Sequence, residues 1–104
     1  MRLYKIDNLS KYIFRYKKYR DLYVSDQQTI KKYNGNWKYI SEYQTLSESF
    51  IERYKNKVDW EWISANQKLS EKFIEKHKDK VSWEYISQYQ KLSDIFINKY
   101  IKIE

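Results

Sequence analysis

The 104-residue chain contains no cysteine, no proline and a single glycine. Without cysteine there is neither a disulfide framework nor a thiolate metal site, so packing alone must hold the fold, as suits a reducing compartment. With one glycine and no proline, the tight turns and bulges of an all-β protein would lack their usual residues. No Gly-rich loop is available to cradle a phosphate. Long apolar runs are also missing: none approaches the roughly 20 residues needed to cross a bilayer. The opening "MRLYKIDNLSKY" lacks the apolar centre of a signal peptide. These absences lead to the expectation of a cytoplasmic protein without membrane contact.

Aromatic residues are plentiful instead. They form 19% of the chain, with 12 Tyr and 4 Trp, which opposes disorder although 34% of residues are charged. The length suits one compact domain with a modest core.

Trp37, Trp60 and Trp83 recur every 23 residues, and the segments that follow align without a gap: "WKYISEYQTLSESFI", "WEWISANQKLSEKFI" and "WEYISQYQKLSDIFI". Helix-start chemistry occurs twice in each unit. Asn36, Asp59 and Ser82 precede the tryptophans, where a side-chain oxygen can accept a bond from a first-turn amide. Ser47, Ser70 and Ser93, followed by Glu48, Glu71 and Asp94, repeat the signal ten residues on. Lys55, Lys57, Lys78 and Lys80 suit the negative end of the second helix dipole. Within one unit Trp60, Ile63, Leu69, Phe73, Ile74, His77 and Val81 form the apolar set, spaced for one stripe per helix. The expected fold is all-α, a short α-solenoid of three 23-residue helical hairpins (37–59, 60–82 and 83–104), because such short helices need stacking neighbours.

The 23-residue step and the order Trp, Ile-Ser, Gln, Leu-Ser-acidic, Phe-Ile resemble short tandem helical repeats of the giant-virus and phage type, over about residues 37–101. The resemblance implies a helical array and a viral setting, with the cytoplasm of a host cell as location; it carries no catalytic residues. Residues 1–36 depart from the repeat and are expected to form a divergent basic amino-terminal cap. There "LSKYIF" (Leu9–Phe14) is similar to "LSEKFI", and "VSDQQTIKKY" (Val24–Tyr33) to the second helix with one extra residue. The alternation in "KYIFRY" leaves a strand open at that point. "YNGN", Tyr33–Asn36, is the clearest turn.

The residues that invite a chemical role are few. His77 is the only histidine, but its repeat equivalents are Tyr54 and Tyr100, so an aromatic packing position is expected and an enzyme is not. No catalytic residue, metal ligand set or cofactor is assigned. Ser41, Ser64 and Ser87 recur, as do Gln44, Gln67 and Gln90; close helix approach and satisfaction of helix-end groups explain them better than ligand reading. Trp60 and Trp62, two apart, cannot share a helix face. One ring enters the core, while the other, equivalent to Tyr39 and Tyr85, packs between units or faces a partner.

Charge is the most informative functional feature. Residues 1–36 carry nine Lys or Arg against three Asp, a net +6 of the chain's +7, which leaves +1 for residues 37–104. "KYIFRYKKYR" interleaves cations with rings, a composition suited to phosphates and bases or to an acidic protein surface. The candidate contacts are Lys11, Tyr12, Arg15, Tyr16, Lys17, Lys18, Tyr19, Arg20, Lys31 and Lys32, with Tyr39, Trp62 and Tyr85 on the repeat face. The leading expectation is a non-enzymatic interaction module, in the viral setting an inhibitor that occludes a host nucleic-acid-handling defence complex. Direct binding of RNA or single-stranded DNA by the basic segment, and a self-assembling structural repeat, are the alternatives.

Overall fold

The computed structural model describes residues 20–101, and every regular element among them is helical. Helix α1 occupies residues 20–32. It is followed by α2 (Trp37–Tyr43), α3 (Glu48–Arg53), α4 (Trp60–Asn66), α5 (Glu71–Lys76), α6 (Trp83–Tyr89) and α7 (Asp94–Tyr100). No strand occurs among the described residues. The segment "KYIFRY", whose alternation also fits a strand, lies outside them, whereas "VSDQQTIKKY" is helical through residue 32.

The cap signals act as their chemistry requires. Ser47, Ser70 and Ser93 accept bonds from the amides of Phe50, Phe73 and Phe96. Asn36 accepts from the Tyr39 amide, and Asp59 from those of Glu61 and Trp62. Ser82 departs from the expectation: it occupies the N-cap position of α6 but its side chain makes no capping bond. Lys55, Lys57, Lys78 and Lys80 also lie beyond the helices, in turns; the cations inside the last turns are Arg53, Lys76 and Lys99. Between α1 and α2 the chain reverses through Asn34 (φ 54°) and Gly35 (φ 71°), a left-handed pair that favours glycine at its second position.

The core follows the 23-residue register. Ile40, Ile63 and Ile86 are completely buried, as are Ile51 and Ile74, and Phe50, Phe73 and Phe96 pack among them. Trp37, Trp60 and Trp83 are half-buried against this core; each first-helix ring meets a Phe and the aromatic residue four positions on, as Trp60 does with Phe73 (6.3 Å) and His77 (5.1 Å). Helix α4 packs between α2 and α6. Burial depends on the following unit. Ser41 and Ser64 are fully buried, but Ser87 is exposed because, among the described residues, no further helix pair follows it.

Polar side chains join successive units with the same bonds twice. Gln67 accepts from the Leu46 amide (2.9 Å) and donates to the carbonyls of Ser41 (3.0 Å) and Gln44 (2.7 Å). Gln90 repeats this with Leu69 (3.2 Å), Ser64 (2.8 Å) and Gln67 (2.7 Å). The Ser41 and Ser64 hydroxyls accept from the amides of Asp59 and Ser82. Glu48 holds both the amide and the hydroxyl of Ser70, and Glu71 does the same to Ser93. Trp60 and Trp83 donate their indole N–H to the carbonyls of Lys55 and Lys78. Among the described residues no buried side-chain nitrogen or oxygen lacks a partner.

These bonds distinguish two chemically identical side chains. Gln67→Ala orphans one amide and two carbonyls and should cost about 3 kcal/mol of stability. Gln44, whose side chain accepts from the Tyr33 hydroxyl (3.2 Å), should cost under about 1 kcal/mol as Gln44→Ala. Urea denaturation of both variants measures the difference, and equal losses would contradict the linking role.

Candidate functional site

The basic candidates divide by position. Lys11, Tyr12, Arg15, Tyr16, Lys17, Lys18 and Tyr19 lie outside the described residues. Arg20 opens the described part of α1, exposed and 3.9 Å from Asp21, while exposed Lys31 and Lys32 close it. At 1.5 Å per residue the two ends stand about 17 Å apart. The three cations therefore form no single cluster. Lys32 sits over the Tyr33 ring, 5.4 Å from its centroid.

The repeat-face candidates are brought together. Tyr39, Trp62 and Tyr85 occupy equivalent positions on α2, α4 and α6, the helices that pack side by side. Tyr39 is 48% exposed, whereas Trp62 and Tyr85 are half-buried. Trp62 and Tyr85 line one surface depression of about 500 Å³, together with Tyr89. Sequence reading missed two further rings, Tyr43 (66% exposed) and Tyr89 (61%). The available signal was their i+4 spacing from Tyr39 and Tyr85, which puts each pair on one helix face. The paired centroids lie 5.9 and 6.1 Å apart. The neighbouring Glu42 carboxylate pushes the Tyr43 phenol above its ordinary value, so that ring stays neutral.

Helix α4 breaks the pattern of its neighbours at the depression. Where α2 and α6 carry Glu42 and Gln88, α4 carries Ala65; where they carry Tyr43 and Tyr89, it carries Asn66. Asn66 turns its amide to the Glu42 carbonyl (2.9 Å), and the small Ala65 leaves space beside Trp62. Asp59, Glu61 and Lys38 complete the polar lining. Exposed Glu84 adds a carboxylate to the first-helix row, where Lys38 is the one cation.

His77 sits among packing groups. It is 5% exposed, its ring lies between Trp60 and Phe73, and its Nε2 is 2.7 Å from Glu52 Oε1. Lys76 and Lys55 reach the same carboxylate, each at 3.2 Å. One unit later the Tyr100 hydroxyl donates to Glu75. One unit earlier, Asp26 raises the Tyr54 phenol by charge and hydrogen bonding, after burial itself. The same Asp26 takes two 2.8 Å bonds from the Arg53 guanidinium, a fork that sequence reading did not anticipate. Each aromatic at this position thus interacts with an acid of the second helix before it or, for Tyr54, of α1. Among the described residues no group of three His, Cys, Asp or Glu is placed to hold a metal ion, and no helix is long and apolar enough to cross a membrane.

Among the described residues these features define an all-α arrangement with an aromatic surface along α2, α4 and α6. No protein-family model, curated protein or solved structure matches the chain.

The Glu52 contacts carry a pH dependence. The bond from His77, with help from Lys76 and Lys55, holds its carboxyl at about 2, below the ordinary 4.5. A depressed folded value stabilises above the unfolded one, so this contribution is present above pH 4.5 and disappears as pH falls towards 2. Chemical denaturation from neutral to acid pH should show that decline, and Glu52→Gln should flatten it while leaving the part due to Glu75, which Tyr100 and Lys99 also hold low.

Proposed function

We propose that the chain is a non-enzymatic protein-interaction module. In this reading it is a short α-solenoid of three helical hairpins, 37–59, 60–82 and 83–104, capped by the divergent residues 1–36. The twice-repeated bonds of Gln67 and Gln90 support the stacked architecture. The rings of the first-helix row carry the functional part. Tyr39, Tyr43 and Tyr89 remain open to solvent, and Trp62 and Tyr85 border a depression, although burial would favour all five. Aromatic side chains on a packed scaffold offer contact area at low entropic cost, as interaction surfaces require.

The carboxylates on this face oppose a nucleic-acid backbone, which favours a protein partner over base stacking there. The repeat's resemblance to giant-virus and phage arrays supplies a setting: the module occludes a host complex by covering a surface that the complex needs. The basic residues of the cap then steer or strengthen the encounter with an acidic surface.

The test is affinity purification with the untagged amino terminus, with and without nuclease. A one-to-one protein complex should survive nuclease and weaken about tenfold or more when Tyr39, Tyr43 and Tyr85 are replaced by Ala. Neutralising Lys31 and Lys32 should change mainly its salt dependence. Recovery of nucleic acid alone, or a complex indifferent to the three rings, would overturn the proposal in favour of direct RNA or single-stranded DNA binding or of another surface.

A further inference from the structure

The depression beside Trp62 has the chemistry of a more particular site. Its aromatic lining comes from two helices, Trp62 from α4 and Tyr85 and Tyr89 from α6, and Asp59 and Glu61 supply carboxylates. Ring faces carry negative electrostatic potential and attract a cation held over them. A carboxylate beside such rings adds a charge-assisted hydrogen bond to the same ligand group. We propose that this depression receives a lysine or arginine side chain from a basic segment of a partner protein. The proposal rests on the reading of the chain as a protein-interaction module and names the chemistry of the partner.

The repeat itself acts as a control for this assignment. At the positions equivalent to Ala65 the flanking helices carry Glu42 and Gln88, side chains long enough to occupy the space that Ala65 leaves. At the position equivalent to Glu61, α2 carries Lys38 and α6 carries Glu84. Trp62 replaces the Tyr found at 39 and 85, and tryptophan is the strongest cation–π ring. Two departures from the repeat, Trp62 and Ala65, thus coincide on one helix face, beside a Glu61 that α6 matches with Glu84 and α2 replaces with Lys38. Neither is required by the inter-unit bonds, which use Gln67, Ser64 and Asp59. Asp59 caps α4 through Oδ1. Lys38 also lines the depression and opposes a cation placed beside it, so the ligand charge belongs near Glu61 and the α6 rings. A phosphate-bearing strand would meet Asp59, Glu61 and Glu84 on this row and be repelled.

The net charge of +7 makes the test demanding, because long-range repulsion opposes a cationic peptide and leaves only local contacts to hold it. A hexa-arginine peptide is titrated into the full chain, with hexa-glutamate and a single-stranded oligonucleotide as controls. The Trp62 indole N–H resonance, assigned through Trp62→Phe, reports occupancy. Arginine peptide should shift it and the controls should not. Ala65→Gln and Glu61→Lys install residues that the flanking helices already carry, so both should fold with unaltered thermal melts. Each should weaken the peptide about tenfold or more, the scale of losing one cation–π or carboxylate contact. Binding untouched by both variants, or an indole shift caused by oligonucleotide or hexa-glutamate, would overturn the proposal. If arginine peptide fails to bind while the nuclease-resistant complex still depends on the Tyr39, Tyr43 and Tyr85 rings, the cationic assignment falls and the interaction reading stands. If neither occurs, both fall.

Discussion

A helix of six or seven residues cannot satisfy its own backbone. The first four amides and last four carbonyls of any α-helix have no partner within it, and in α3 or α5, six residues long, these outnumber the internal bonds. The fold depends on how those groups are satisfied. Gln67 and Gln90 each reach back one unit and engage a carbonyl in the last turn of the preceding first helix together with a carbonyl and an amide just beyond it. Glu48 and Glu71 reach forward to the Ser that opens the next second helix. Each helix pair therefore completes its hydrogen bonding only in the company of its neighbour. That constraint ties the repeats to one another: a change at Gln67 would orphan an amide and two carbonyls of the unit before it.

The same constraint divides the surface into occupied and available parts. Ser41, Ser64, Gln67 and Gln90, which look like candidate ligands when read as a column, are occupied by backbone groups. His77 is likewise occupied, filling the place of a tyrosine and bonding to Glu52 as Tyr100 bonds to Glu75. The exposed rings on the outer side of α2, α4 and α6 take no part in these bonds. They contribute little to the interior, and α4 varies there without disturbing the bonds of Gln67 and Gln90.

Much of the secondary structure was legible because its signals are local. An Asn, Asp or Ser before each helix, acidic residues in the first turns and apolar spacing within each segment all act over one or two turns. Even so, Ser82 occupies its cap position without making a side-chain capping bond. The i+4 rings Tyr43 and Tyr89 were also present in the sequence pattern but passed unnoticed beside the stronger repeat of Tyr39, Trp62 and Tyr85. The Asp26–Arg53 fork was not legible at all. Its partners are 27 residues apart, do not follow the 23-residue register, and meet only because α1 packs beside α3.

The sequence by itself determined the period, the helix starts and the apolar register, because each rests on contacts between residues close along the chain. It also determined that positive charge concentrates in residues 1–36. Tertiary structure decided which polar residues are consumed and which rings stay outside. Those outcomes depend on the neighbouring unit: Ser64 and Ser87 have the same local sequence setting, yet Ser64 is buried by the helices that follow and Ser87 is exposed. The depression beside Trp62 belongs to the same class of fact. It exists because α4 and α6 lie side by side, and a short side chain on one leaves room beneath the rings of the other.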